Sequence, residues 1–295
     1  MLSEKPKVSI GIPCYNRPKT LWRTLNSVVN QTYKNIEIII SDNASPDPRV
    51  EKICKYFASK DERIKYYRQT NNKGMAFNFN FVVKQASGEY FMWLCDDDSI
   101  SDNYIERCIS IITNQKDIRL VSGRIDTYKT MNILNNSPYI RVLKYFLNYA
   151  YIHVMIFSIM PKSDAYFPYS FHGCDWISVA NSLFKGKLLI IDDILFRYSI
   201  NGTSSQSASY ARSQGLNRLT DRLPIFSVAF TYMKHIFCRK HPYEDISLFA
   251  RIFFPILIPI AMLIARFKAN MLHIMKLILP QFIVDFLNRI ARRKK

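Results

Sequence analysis

Over its first 125 residues the chain alternates short apolar runs with amphipathic stretches, and this rhythm restricts its fold more than any other feature. Residues 7–12 (Lys-Val-Ser-Ile-Gly-Ile) read as a buried strand, stopped by Pro13. Within residues 17–31, Leu21, Leu25, Val28 and Val29 fall at i, i+4, i+7 and i+8, which is one face of a helix. Residues 36–40 form a second strand ending at Ser41-Asp42-Asn43, residues 48–58 a helix, and residues 64–67 a third strand. After the turn at residues 71–74, Met75, Phe79, Val82, Val83 and Ala86 mark another helix face, with Gly88 as its C′ stop. Residues 90–94 are a fourth strand running into Asp96-Asp97-Asp98, residues 102–114 a helix, and residues 118–127 a fifth strand. This β-α-β order predicts an α/β fold with a mostly parallel central sheet flanked by helices. Such sheets bind ligands outside the carboxyl ends of their strands, and Tyr15, Asp42 and Asp96 to Asp98 stand at three such ends. They are expected to converge on one crevice.

Beyond residue 127 the pattern is less regular. Residues 128–150 read as a loop or lid, and residues 153–160 as a strand. Residues 172–176 (His-Gly-Cys-Asp-Trp) precede a helix of about three turns that ends at Gly186. Residues 187–191 and 194–198 resemble a strand pair, and the Ser-rich residues 201–213 a mobile connection.

The last quarter has another character. The whole chain carries a formal charge of +18. Residues 222–295 hold thirteen lysines and arginines against three acids, a net of +10. Residues 252–265 are continuously apolar, but fourteen residues fall short of the ~20 needed to span a bilayer. Ile283, Phe286, Leu287 and Ile290 recur at i, i+3, i+4 and i+7 among arginines, the pattern of a helix lying in a membrane interface. The division expected is a catalytic domain over residues 1–215 and a basic amphipathic extension over residues 216–295. The extension is read as meeting an anionic membrane surface, with a dimer interface as the competing reading. Nucleic acid is set aside as a partner, because the charge flanks apolar runs rather than interleaving with aromatics.

Several classes are excluded or disfavoured. With 48% apolar residues the chain can bury a large core, which excludes wholesale disorder. There is no G-x-G-x-x-G, no P-loop and no H-E-x-x-H, against a dinucleotide oxidoreductase, a P-loop ATPase and a zincin protease. No apolar secretory segment opens the sequence, and the six cysteines form no C-x-x-C pair. They read as reduced, buried thiols of a cytoplasmic protein.

Three consecutive aspartates after an apolar strand repel one another and invite a cation. Carboxylates are hard ligands, suited to Mg²⁺ or Mn²⁺ shared with substrate phosphates. The competing reading is a solvated acidic turn capping the next helix. Tyr15 could stack on a nucleobase and Asp42 accept an N–H from it. Alternatively they are a packing tyrosine and a turn aspartate.

In order, residues 8–17 (Val-Ser-Ile-Gly-Ile-Pro-Cys-Tyr-Asn-Arg), 30–33, 38–47, Asn72-Lys73-Gly74, Asn78-Phe79-Asn80, 86–90, 94–98 and Cys174-Asp175-Trp176 carry a resemblance to glycosyltransferase family 2, of GT-A fold. It continues through residues 186–193 and 197–204, covering about residues 5–205. It implies a nucleotide site of Pro13, Tyr15, Asn16, Asp42, Asp96 and Asp97, with Asp42 on a uracil or thymine ring. Asp96 and Asp98 would be the D-x-D pair holding Mn²⁺ or Mg²⁺, and Asp175 the general base. Cys174 stands where many members have Glu, and Asp102 where a Pro often follows the acidic cluster. The implied activity is inverting transfer from a UDP- or dTDP-sugar to a glycan hydroxyl, in surface polysaccharide assembly such as O-antigen or capsule. The basic, apolar tail adds a lipid-linked acceptor at the inner face of a bacterial membrane. The rival readings are a nucleotidyl transferase, a basic nucleic-acid-binding protein and an inactive scaffold.

Overall fold

A computed structural model describes residues 5–126, 130–166 and 174–199, together with 232, 234, 236, 247, 250, 252, 254, 256–265 and 267. In chain order the elements are β1 (Val8–Cys14), α1 (Pro18–Val29), β2 (Ile36–Asp42), α2 (Pro48–Lys60), β3 (Ile64–Arg68), α3 (Met75–Gln85), β4 (Tyr90–Trp93) and β5 (Ser99–Ile100). They continue as α4 (Tyr104–Asn114), β6 (Ile118–Ile125), α5 (Pro138–Ile152), β7 (Met160–Pro161), α6 (Cys174–Lys185) and β8 (Lys187–Arg197).

The central sheet has the order β3-β2-β1-β4-β7, parallel except for the short β7. Every residue of β1 and β2 is buried, as expected for strands covered on both faces. Helices α1 and α2 pack on one another. Helix α3 carries the chain back across the sheet and packs on β1 and β2. Right-handed crossovers place it on the face opposite α1 and α2. Gly11 permits that approach, since a Cβ there would lie 2.6 Å from both Val82 and Phe91. The chain moves from β1 outward to β3, then returns to β4 on the other side of β1. The gap between the ends of β1 and β4 is therefore the point where strand order reverses, the position at which open α/β sheets form ligand crevices. A second sheet, β5-β8-β6, extends the fold.

The elements expected through residue 125 all form. Gly88 does not act as a helix C′ residue, however, because α3 already ends at Ala86 in extended backbone. Gly88 is required by space instead: a Cβ would lie 2.7 Å from the Lys7 carbonyl and the Ser9 hydroxyl. Three further expectations are corrected. The supposed loop at 128–150 contains α5, whose Val142, Tyr145 and Phe146 are fully buried at helical spacing. The buried Arg141 docks α5 on α6 by donating to the Leu183 and Phe184 carbonyls at 2.6 and 2.9 Å. The strand expected at 153–160 is a 3₁₀ turn over His153–Phe157 followed by β7. The supposed strand pair is one strand, β8, parallel to β6. Its partner register jumps from Ile191 to Leu195, so residues 192–194 form a bulge in which Asp192 and Asp193 are exposed and Ile194 stays buried. Asp193 there pairs with Arg107 at 2.6 Å.

The described residues between 250 and 267 are helical. Phe254, Ile258, Ala261, Met262 and Ala265 are buried, and the Phe254 ring meets Tyr139 of α5 edge-on at 5.0 Å. Ile252, Ile256, Leu257, Ile260, Leu263, Ile264 and Phe267 lie exposed. Among the described residues no helix is long and apolar enough to cross a membrane. The Ser-rich stretch 201–213, His172, Gly173 and the pattern at 283–290 fall outside the described residues.

Candidate active site

The loop after β1 and the loop after β4 are tied together at the strand-order reversal. The Tyr15 backbone N–H donates to Asp96 Oδ2 at 2.9 Å, and Arg17 Nη1 to Asp96 Oδ1 at 2.7 Å. Arg17 also lies 3.2 Å from Asp97. Asn16 adopts a left-handed conformation (φ 55°), which asparagine tolerates better than most residues, and its N–H donates to Ser45 Oγ at 2.9 Å. From α1, Arg23 and Thr24 donate to the carbonyls of Asp97 and Asp98 at 2.6 and 2.7 Å. The acidic turn is thus fixed by its backbone, and its side chains differ in what they meet.

Asp96 has both oxygens engaged. Asp98 Oδ1 accepts from the Ser199 N–H at 2.8 Å, while Asp98 Oδ2 is buried with no hydrogen-bond partner. Burial raises Asp96 to about 6, with Arg17 pulling the other way. Burial also raises Asp97, and raises Asp98 well above the ordinary carboxylate range, where the Asp97 charge adds to it. Such a turn ionises at a cost that a nearby cation offsets. The Cys95 thiol and the Asp97 and Asp98 carboxylates offer three ligand atoms within 4.8 Å of one another. An orphaned carboxylate oxygen beside a second carboxylate is a donor set that fits Mg²⁺ or Mn²⁺.

At the end of β2, Asp42 is wholly buried. Its Oδ1 accepts from the Ser45 N–H at 2.8 Å, and its Oδ2 from Arg68 at 2.5 Å and the Tyr66 hydroxyl at 3.2 Å. The Asn43 N–H donates to the Cys14 carbonyl at 3.0 Å, closing the β2 end onto the β1 end. Cys14 lies between the two acidic groups. Its thiol is pushed up by a hydrogen bond to Cys54, by burial, and then by the Cys54, Asp96 and Asp42 charges. Pro13 is buried and Tyr15 is 43% exposed. The structure therefore gathers Pro13, Tyr15, Asn16, Asp42 and Asp96 to Asp98 at one rim of the sheet.

Asp175 stands in the first turn of α6. It is partly exposed, yet the protein packed around its carboxyl raises it to about 7 by desolvation, against the pull of its own and the Trp176 N–H groups. Burial and then the Asp175 charge raise the buried Tyr145 hydroxyl of α5. None of its described contacts reaches the aspartate turn. Trp176 is buried, Arg197 is exposed at the end of β8, and the Lys73 ammonium lies over the Phe77 ring at 4.7 Å.

Sequence reasoning missed Tyr66, Arg68 and Cys95. Tyr66 and Arg68 close β3, whose carboxyl end faces the same rim, so the rule that pointed to Asp42 also reaches them. Cys95 sat in plain view as a core thiol; only the turn geometry sets it beside Asp97 and Asp98.

Comparisons with known proteins place the chain in a family and a fold. A stretch of 96 residues, 32% of this chain and 31% of the relative, is 38% identical to the GalNAc(5)-diNAcBac-PP-undecaprenol beta-1,3-glucosyltransferase of Campylobacter jejuni. The chain spans less than half the length of the curated relatives it matches. The fold resembles residues 1–349 of S. aureus TarS in complex with UDP, with a TM-score of 0.52 and 19% identity over 83% of this chain and 77% of that one. It also resembles the mannosyltransferase PcManGT of Pyrobaculum calidifontis in complex with GDP-Man and Mn²⁺, with a TM-score of 0.53 and 14% identity over 98% and 81%. The family model for glycosyl transferase family 2 matches residues 9–171, more than half of the chain. With that match laid over the strand-end aspartates and the reversal of the parallel sheet, the chain belongs to glycosyl transferase family 2.

Proposed function

We propose that the chain is an inverting glycosyltransferase that moves a sugar from a UDP- or dTDP-sugar to a hydroxyl of a lipid-linked glycan in surface polysaccharide assembly, such as O-antigen or capsule. The observation that carries this reading is the buried Asp98 Oδ2 without a partner, in a turn facing the rim that also holds Tyr15 and Asp42. Family membership, and the UDP and GDP-Man bound by the two solved neighbours, support a nucleotide-sugar donor. The lipid-linked substrate in the name of the Campylobacter relative supports the acceptor class.

Tyr15, with Pro13 and Asn16, lines the base pocket, and Asp42 accepts from the base, its own position set by Arg68, Tyr66 and Ser45. Asp96 and Asp97 border the ribose and diphosphate. Asp98, with Asp96 as the other member of the D-x-D pair, would hold Mn²⁺ or Mg²⁺, which when bound would neutralise charge on the departing diphosphate. Asp175 takes the proton of the acceptor hydroxyl at a carboxylate oxygen as the acceptor oxygen bonds to the anomeric carbon. A carboxyl raised to about 7 suits that task near neutral pH. The bond from that carbon to the diphosphate oxygen breaks on the opposite side. A single displacement inverts the anomeric configuration; retention needs a nucleophilic carboxylate close to the same carbon.

The catalytic part covers residues 1–215, and residues 216–295 form a membrane-associating extension at the cytoplasmic face. The exposed stripe on the helix at 250–267, within a region of net charge +10, supports an anionic lipid surface as partner. A thermal-shift panel of nucleotide-sugars with and without Mn²⁺ tests the donor claim. Stabilisation by UDP- or dTDP-sugars that requires the ion is expected; no response to any of them contradicts it.

A further inference from the structure

We propose that Cys95 is a ligand of the divalent cation at the end of β4, so that this site takes thiophilic ions such as Co²⁺, Zn²⁺ and Cd²⁺ in preference to Mg²⁺. The inference rests on the reading above that the aspartate turn holds a cation, and it changes which atoms do so. The D-x-D reading names Asp96 and Asp98. Asp96, however, is already spent on the Tyr15 N–H and the Arg17 guanidinium. Cys95 is not: its thiol forms no disulfide, it is only partly buried, and its sulfur belongs to the same group of ligand atoms as Asp97 and Asp98.

The turn explains the juxtaposition. The Asp98 N–H donates to the Cys95 carbonyl at 3.1 Å, which folds the four residues back on themselves and brings the first side chain beside the last. Arg23 and Thr24 anchor the carbonyls of Asp97 and Asp98, so the turn is held from α1. The second observation is independent of the cysteine. Asp98 Oδ2 is buried and unpartnered on a residue only 1% exposed, which leaves an acceptor in want of a positive partner. Two ligands on one ion, at bonds of ~2.0–2.3 Å, lie at most ~4.6 Å apart. Ligand atoms already within 4.8 Å reach one ion by small side-chain rotations.

A sulfur donor changes the preference of the site. Oxygen-only sites suit Mg²⁺ and Mn²⁺, whereas thiolate favours softer or borderline ions. On binding, the Cys95 S–H proton leaves to solvent and a sulfur lone pair forms the metal–sulfur bond; nothing is oxidised or reduced.

The test uses the full chain with UDP, titrated with Co²⁺ and followed by absorbance, because a thiolate on Co²⁺ gives a near-ultraviolet charge-transfer band that carboxylates do not. The wild type is expected to develop that band and saturate it at one ion per chain. In Cys95→Ser the band is lost and Co²⁺ binds at least tenfold more weakly, while Mg²⁺ affinity changes less than threefold. Asp98→Ala loses the band although Cys95 is intact. Co²⁺ binding to the wild type without the band overturns the proposal and leaves an aspartate cation site standing. A band that survives in Cys95→Ser arises from another cysteine and overturns it as well. If neither Co²⁺ nor Mn²⁺ binds the wild type, the aspartate clamp itself fails and this assignment with it.

Discussion

Asp42 at the end of β2 and Asp98 after the end of β4 are both buried carboxyls at the same rim of one sheet, and their surroundings differ sharply. Around Asp42 the protein supplies everything: a backbone N–H, a tyrosine hydroxyl and an arginine at 2.5 Å. Around Asp98 it supplies one backbone N–H and leaves the second oxygen bare, with burial and Asp97 both disfavouring its charge. A carboxylate completed by its own fold can be preorganised to receive a neutral ring donor. A carboxylate left incomplete is stable as an anion only when something positive arrives. This difference supports the proposed division, with base recognition on the β2 side and the diphosphate and its cation on the β4 side.

The largest expected effect separates both of these from the chemistry. Asp175→Asn should cut turnover by ~10²–10⁴-fold, the usual worth of a positioned base, while nucleotide affinity measured by calorimetry stays within about twofold. Equal loss of both would return Asp175 to donor binding. The base works deprotonated, so kcat/KM in the wild type should fall about tenfold per unit as pH drops below about 7. A profile flat down to pH 5 would contradict the role.

Stability breaks or sharpens the contrast next. Arg68→Ala leaves Asp42 buried without its cation and should cost ~1–3 kcal/mol in urea unfolding without added metal. Asp98→Asn under the same conditions should be neutral or stabilising, because it removes a buried carboxyl that the fold does not complete. Comparable destabilisation by the two changes would erase the distinction. The smallest effect concerns the far helix. Ile256→Glu, at a position 52% exposed, should alter unfolding free energy by under about 0.5 kcal/mol. It should also reduce co-sedimentation with anionic vesicles, and undiminished co-sedimentation would reject the membrane face.

The alternation of strands and helices was legible through Ile125 because each element there carries a clean apolar period, and the aspartates were legible because strand ends in a parallel sheet share one rim. Helix α5 was obscured: aromatic residues on both faces hide the stripe of Val142, Tyr145 and Phe146, and its docking depends on Arg141 reaching carbonyls 42 and 43 positions away. Strand β8 read as two because Asp192 and Asp193 look like a turn, whereas they bulge from a strand that continues past them. Arg68 and Cys95 escaped for a related reason. Each matters through a side-chain contact that only the folded chain creates, one with Asp42 and the other with Asp97 and Asp98.

On the proposed reading the turn after β4 holds a divalent cation against a bound nucleoside diphosphate. This is tested most directly by titrating Mn²⁺ into the protein with saturating UDP while following the free Mn²⁺ signal by electron paramagnetic resonance. One bound ion per chain is expected, weakened at least tenfold in Asp98→Ala and unaffected by Arg68→Ala beyond its effect on UDP occupancy. Mn²⁺ binding that ignores Asp98, or requires no nucleotide and no aspartate of the turn, would contradict it.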